Sequence, residues 1–285
     1  MRNAIRGKIN RKIASSHIMP TDPTILALDF DGVLCDGMME YFQTSWRTYC
    51  QIWTPDSQTP PGDLGNRFYQ LRPVIEVGWE MPLLLRALVL GVPEEKIWQD
   101  WASVTQQLLS KESLDAAEIG KKLDTIRDAW IASDLDSWLA LHRFYPGVVE
   151  RLRSLLLSPV QPVIITTKEG RFVAQLLQQQ GIELAQQWII GKESRRSKQQ
   201  TLRELLSNSI GETVSIWFVE DRLKTLQSVK QQPDLEVVRL YLADWGYNTP
   251  QQQASVRDDS RIHLLSLSQF GQDFSSWSYS KSLGG

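Results

Sequence analysis

From Tyr145 onward the chain alternates short apolar runs with amphipathic stretches, and that rhythm restricts its fold more than any other feature. The spacing predicts strands at Pro162 to Thr166, Trp188 to Ile190, Val214 to Val219 and Leu235 to Leu242. Helices are expected at Val148 to Leu157, Arg171 to Gln180, Lys198 to Ser207 and Leu223 to Gln231, the second of them stopped by Gly181. Short apolar strands joined by helices imply right-handed crossovers and a parallel sheet covered on both faces. Ile262 to Leu265 and Leu267 to Phe270 add a last strand and a short helix. The expected class is α/β with a Rossmann-like parallel sheet.

One more strand of this kind lies far upstream, in Thr24 to Gly37, which reads TILALDFDGVLCDG. Its apolar run, Ile25 to Leu28, is followed by Asp29 and Asp31, two residues apart, and then by Gly32. Positions i and i+2 of a strand point to the same side, so both acids face one space at the strand's carboxyl end. Open α/β sheets bind their ligands at that edge. Two carboxylates held so close cannot both ionise freely without a cation or a shared proton, which suits a hard metal such as Mg²⁺ together with acid/base work. Two other readings stand beside this one. A calcium loop also begins with D-x-D, and Glu40 falls at its twelfth position, but Val33 and Leu34 stand where an acidic ligand and the turn glycine belong. A plain turn after a strand also uses Asp and Gly.

Between about Gly37 and Phe144 the texture is helical, in segments Met39 to Ile52, Arg72 to Leu90, Lys96 to Leu109 and Ser113 to Leu141. Breakers separate them: Thr54 to Gly65 is rich in Pro, Asp and Gly, Gly91 to Pro93 precedes the third segment, and Pro82 is placed to kink or split the second. The expected organisation is therefore a tail at 1–23, an α/β core from 24–36 plus 145–285, and a helical cap at 37–144. Asp36-Gly37 and Phe144 to Gly147 are the candidate hinges. The cap holds Trp46, Trp53, Trp79, Trp98, Trp101, Trp130 and Trp138. Such residues usually pack a core; a tryptophan-rich cap that engages a protein partner is the alternative. Arg67, Arg72 and Arg86 read as helix-face residues or as contacts to an anionic substrate.

The formal net charge of −2 argues against a nucleic-acid partner. Cys35 and Cys50 have neither metal-ligand spacing nor a disulfide framework, so reduced thiols in the cytoplasm are expected. No apolar run approaches the ~18 residues of a membrane span. Arg2, Arg6, Lys8, Arg11 and Lys12, with no acid before Asp22, make the first residues a basic flexible tail that faintly resembles an organelle transit peptide and reads equally as a solvated arm.

Polar residues also close the later strands. Thr166, Thr167 and Lys168 follow the first, Gly191 closes the next with Lys198 opening the following helix, and Glu220 and Asp221 follow the third. In a parallel sheet these ends share one edge with Asp29 and Asp31. The set and its order resemble the haloacid dehalogenase-like hydrolases, in the branch that inserts a helical cap after the first motif, as phosphoglycolate phosphatases and β-phosphoglucomutases do. The matching stretches are DFDGVLCD (Asp29 to Asp36), YPGVVERL (Tyr145 to Leu152), VIITTKEG (Val163 to Gly170), GKESRRSKQQTL (Gly191 to Leu202) and WFVEDRLKTL (Trp217 to Leu226).

The resemblance implies a Mg²⁺-dependent hydrolase of small phosphate monoesters that works through an aspartyl-phosphate. Asp29 would be the nucleophile and Asp31 the general acid and base. Thr166 would hydrogen-bond the phosphoryl group, and Lys198 would neutralise its charge and hold Asp29, with Lys192 as a rival lysine. Asp221, helped by Glu220, would complete the metal site with the Asp29 carboxylate and the Asp31 backbone carbonyl. The sequence departs from the family at Glu220, where many members have glycine, at Thr225, where many have aspartate, and after Lys198, where prolines often follow. A phosphomutase shares all these motifs, and a catalytically weak interaction protein on the same fold is a further alternative.

Overall fold

The computed structural model describes residues 22–207 and 214–277; the basic tail, up to residue 21, lies outside the described residues. Its centre is β1 (Ile25–Leu28), and the chain then passes through β2 (Cys35–Asp36) into a helical segment. That segment comprises α1 (Met38–Trp53), α2 (Leu64–Leu71), α3 (Glu80–Val89), α4 (Glu94–Gln99), α5 (Trp101–Glu112), α6 (Ala116–Ser133) and α7 (Leu135–Leu139). It returns through β3 (Arg143–Phe144), which pairs antiparallel with β2. Then follow α8 (Val148–Leu156), β4 (Gln161–Ile165), α9 (Gly170–Gln179), β5 (Ile189–Ile190), α10 (Lys198–Ser207), β6 (Ile216–Glu220) and α11 (Leu223–Lys230). The last elements are β7 (Arg239–Ala243), α12 (Pro250–Ser255), β8 (Ile262–Leu265) and α13 (Leu267–Phe270).

The main sheet has six strands in the order β5-β4-β1-β6-β7-β8, and every pairing is parallel. Alternation along β1 divides its side chains between two apolar layers. Leu26 and Leu28 join Ile164, Trp217, Val219, Tyr241 and Phe172 on one face, and Ile25 and Ala27 join Val163, Ile165, Phe218, Leu202 and Leu226 on the other. Sandwiching by helices explains why these strands read as continuous apolar runs. The order also places β1 between β4 and β6, so the ends carrying Asp29, Thr166 and Glu220 are neighbours.

The helical segment has its own apolar cluster, which includes Phe42, Phe68, Leu84, Ile97 and Leu123. Trp46 and Trp101 are buried in it and Trp53, Trp79 and Trp98 pack against it, whereas Trp130 and Trp138 join the cluster of the sheet. All seven tryptophans therefore pack. A buried polar tie within it is Glu40 of α1, whose Oε1 accepts from Arg127 Nε of α6 at 2.8 Å and from Thr44 Oγ1 at 2.6 Å. Burial opposes the charge on Glu40, but Arg127, Lys168 and these hydrogen bonds outweigh it and hold the carboxyl at about 2. Because that lies below the ordinary value of 4.5, the stabilisation is present above about pH 4.5 and is lost as pH falls toward 2. Glu40→Gln, which leaves the Arg127 charge only the exposed Asp124 at 3.6 Å, is expected to cost ~3 kcal/mol at neutral pH, read by denaturant titration, and progressively less below about pH 4.

Several boundaries differ from those the spacing predicts, each for a local reason. The stretch Arg72 to Leu90 is not one helix: Arg72–Val74 forms a single 3₁₀ turn, and regular structure resumes at Glu80. Pro82 lies in the first turn of α3, where a missing N–H costs no hydrogen bond, so it neither kinks nor splits the helix. Lys96 to Leu109 breaks at Asp100, which caps α5 by accepting from Ser103 N. Ser113 to Leu141 breaks at Asp134, which accepts from Ser137 N in the same way. The end of the Pro- and Gly-rich breaker starts α2. The strand expected from Leu235 begins only at Arg239, because Pro233–Leu235 is a 3₁₀ turn. Among the described residues no helix is long and apolar enough to cross a membrane.

Candidate active site

The turn after β1 sets the site. The N–H groups of Leu34 and Cys35 both bond to the carbonyl of Phe30 at 2.9 Å, and Gly32 takes φ +85°, a left-handed conformation that glycine adopts without a Cβ clash. A second constraint falls on the same residue: a Cβ on Gly32 would lie 2.2 Å from Oδ2 of Asp221. The turn can approach the end of β6 only because that atom is absent.

Asp29 is buried at this point, with Oδ1 accepting from Phe30 N at 2.8 Å and lying 2.9 Å from Lys198 Nζ. Lys198 opens α10 and also reaches Oε2 of Glu220, at 2.5 Å. The lysine beside Asp29 is thus Lys198; Lys192 is exposed and lines the neighbouring cleft. Glu220, fully buried at the end of β6, also accepts from Arg222 N through Oε1 at 2.9 Å. Both of its oxygens are engaged, and one of them anchors Lys198. Asp221, likewise buried, accepts from Tyr247 N through Oδ2 at 2.8 Å.

Oxygens of Asp29, Glu220 and Asp221 all lie within 4.8 Å of one another. Burial, then repulsion from Glu220, pushes the Asp29 carboxyl up to about 7 against the pull of Lys198. Glu220 and Asp221 are raised as well, in each case first by burial. Three buried acids with one ammonium between them lack positive charge. Their donors are hard carboxylate oxygens, and the set fits a divalent cation such as Mg²⁺.

Asp31 lines the same cleft as the acidic trio, and Thr166 stands at the end of the neighbouring strand. Asp31 Oδ2 lies 3.4 Å from Lys168 Nζ, and its Oδ1 is buried without a hydrogen-bond partner. Thr166, directly after β4, accepts from Lys168 N through Oγ1 at 3.1 Å, which leaves its own hydroxyl proton to donate. All six residues predicted from sequence are brought to one sheet edge, although the side chain of Asp31 is not part of the acidic trio.

Four contributors carried no signal strong enough to single them out. Lys168 ended a strand like its neighbours, yet it bridges Asp31 and His142, whose Nε2 is 3.3 Å from Nζ. His142 Nδ1 is 3.1 Å from the Trp138 carbonyl, so a neutral ring protonated on Nδ1 satisfies both contacts; burial and Lys168 both press its pKa down, in keeping with that form. Gly246 packs so tightly that a Cβ there would lie 2.3 Å from Asp221 Cβ. Tyr247 follows it, and besides holding Asp221 its hydroxyl donates to Asp36 Oδ1 and accepts from Gly37 N, both at 2.9 Å. A Gly-Tyr pair past the carboxyl end of an apolar strand was the available clue.

Two clefts meet at Asp31 and Tyr41. One of about 500 Å³ is lined by Asp29, Lys198, Glu220 and Asp221 together with Arg72 and Glu76 of the helical segment. The other, about 340 Å³, runs between Lys168, Phe172 and Lys192 of the core and Glu40, Arg72 and Arg127 opposite. Arg222 Nη2 closes one side of the first cleft through a 2.7 Å ion pair with Glu76.

No protein-family model matches this chain, and no curated protein matches it. Solved structures do. A haloacid dehalogenase-like hydrolase of Streptococcus pneumoniae superposes with a TM-score of 0.52 at 11% identity, over 87% of this chain and 95% of the other. A predicted phosphatase of Clostridium acetobutylicum gives 0.53 at 13% identity, over 87% and 96%. A predicted phosphoglycolate phosphatase of Haemophilus somnus gives 0.53 at 16% identity, over 88% and 95%. At such identities the shared property is architecture: the chain has the haloacid dehalogenase-like fold, a six-stranded parallel sheet with a helical segment inserted after its first strand.

Proposed function

We propose that the protein is a Mg²⁺-dependent hydrolase of small phosphate monoesters, working through a phosphorylated Asp29. The observation that carries this reading is the convergence, on one buried carboxylate at the end of β1, of Lys198 and the acids Glu220 and Asp221, with a second carboxylate, Asp31, lining the same cleft and Thr166 at the end of the neighbouring strand. It is supported by the structural likeness to proteins described as phosphatases.

In this reading the Asp29 carboxylate attacks phosphorus and the bond to the leaving oxygen breaks, with Asp31 giving that oxygen its proton. Water then attacks the aspartyl-phosphate as Asp31 takes back a proton, and inorganic phosphate leaves with Asp29 regenerated. Lys198 and Thr166 bind the phosphoryl oxygens, and Glu220 holds Lys198 in place. Asp29, Asp221 and the Asp31 backbone carbonyl would hold Mg²⁺, with Glu220 beside them. When bound, the ion supplies charge compensation to the phosphoryl oxygens. The helical segment 37–144 acts as a cap over the two clefts, excluding water and selecting the substrate.

The test is phosphate release from a panel of monoesters in Mg²⁺, abolished by chelator. Asp31→Asn is expected to lower kcat/KM, which reports the steps up to leaving-group release, by ~10²- to 10⁴-fold on alkyl phosphates. The loss should be much smaller on p-nitrophenyl phosphate, whose leaving group needs no proton. Turnover indifferent to chelator, or an Asp31→Asn loss equal for both leaving groups, would sink this assignment.

A further inference from the structure

Of the three arginines that stand out in the sequence of the helical segment, two have carboxylate partners. Arg67 pairs with Glu94 at 2.6 Å and Arg86 with Glu112 at 2.8 Å. Arg72 makes no ion pair among the described residues: Nη1 donates to the Ile75 carbonyl at 3.3 Å, and Nε is buried with no hydrogen-bond partner. Its guanidinium lies against two mutually contacting rings, 4.7 Å from the centre of Tyr247 and 5.2 Å from that of Tyr41. It also lines both clefts.

The other cations around the site are committed. Lys198 serves Asp29 and Glu220, Lys168 serves Asp31, and Arg127 serves Glu40. Glu76, one turn past Arg72 in sequence, is drawn to Arg222 instead. Lys192 and Lys224 line the clefts too, but both are exposed, where water screens a charge and little binding energy results. A half-buried guanidinium with an unmet donor is a different object. Cation–π contact with the two tyrosines helps to hold it in the cleft, and its planar fork of N–H donors matches the two oxygens of a carboxylate or phosphate.

The phosphoryl group being transferred already has Lys198, Thr166 and the acidic trio's cation. Arg72 reaches the cleft from the opposite wall, where the rest of the substrate must lie. We propose that Arg72 is the subsite for a second negative group, so that the substrates are small phosphate monoesters whose alcohol portion carries a carboxylate or a second phosphate. The inference rests on the phosphatase reading of the same cleft and narrows it.

Binding of inert analogues separates the two ideas. Three phosphonates of equal chain length, propylphosphonate, phosphonopropionate and propane bisphosphonate, are titrated calorimetrically into the whole protein at one fixed free Mg²⁺ concentration. At least one doubly anionic analogue is expected to bind on the order of 10- to 100-fold more tightly than propylphosphonate. Preference for the carboxylate alone assigns an organic acid, and preference for the bisphosphonate alone a second phosphate. In Arg72→Gln the preference ratio should collapse toward one. Arg72→Lys, which keeps the charge and the ring contact but loses the fork, should retain part of it. Equal binding of all three analogues by the wild type, or an unchanged ratio in Arg72→Gln, overturns the subsite. Absence of ester turnover with the binding preference intact would instead reject the phosphatase reading and leave the anion subsite standing.

Discussion

Asp29→Asn is expected to lower phosphate release by about 10⁴-fold or more while leaving the folded protein no less stable than the wild type. The size of the first effect follows from the role: an amide nitrogen or oxygen does not displace an alkoxide from phosphorus, and removing the nucleophile of a group that acts as a unit removes nearly all of its catalysis. The second effect has the opposite sign to that of a structural residue. Asp29 has its carboxyl pushed up to about 7 from an ordinary 3.8 by burial and by Glu220. A raised value means that the stabilisation linked to this group is complete below about pH 4 and disappears as pH rises through about 7. In metal-free wild type at pH 8 the buried charge is therefore a cost, which the neutral amide of Asn escapes. Lys198 keeps Glu220 as a partner in the variant. Phosphate release assayed beside thermal melting in chelator gives both numbers. Residual turnover above about a hundredth of wild type would remove Asp29 from the nucleophile's role.

The second large effect is expected from Gly32→Ala, a change of one methyl group. An L-residue at φ +85° carries a conformational penalty of ~1–2 kcal/mol, and the new carbon would meet Asp221 Oδ2 at 2.2 Å. Overpacking of that kind adds ~1–3 kcal/mol, so a total near ~3 kcal/mol is expected by denaturant titration. Stability is the smaller part of the outcome. Asp221 must move off the Tyr247 N–H, and Mg²⁺ affinity, read by calorimetry, should fall ~10- to 100-fold, as when other supports of a metal ligand are lost. Gly62→Ala is the control: Gly62 is exposed, a methyl group there would meet no atom within 4 Å, and neither quantity should change. An unaltered Mg²⁺ affinity in Gly32→Ala would show that Asp221 is not held where the cation binds.

The strands and their order of acids were legible because the sheet is covered on both faces, which forces long unbroken apolar runs and makes each polar end conspicuous. Asp29, Asp31, Thr166 and Asp221 all announce themselves in this way, and Lys198 follows from the helix it opens. The helical segment was less legible. Asp100 and Asp134 each stand in the middle of a periodic stretch, and nothing in that periodicity distinguishes a solvated aspartate from one that caps a new helix. The Pro- and Gly-rich run before Leu64 concealed the start of α2 for a related reason: turn residues mark a break without saying where it ends. Contacts such as Glu40 with Arg127, Lys168 with His142 and Tyr247 with Gly37 join positions remote in sequence, and only packing creates them.

The position of β1 bears on how the chain reaches this state. Its two sheet neighbours, β4 and β6, both lie beyond the helical segment, so Ile25–Leu28 is made early and waits for partners encoded late. During synthesis the helical segment, with an apolar cluster of its own, is available to collapse first, while an apolar strand remains unpaired beside it. Pairings so distant in sequence are slow to form, and an unpaired strand of this kind is prone to associate with other chains. The same strand that carries Asp29 into the centre of the sheet is thus the one most exposed to misassembly before the last third of the chain is made.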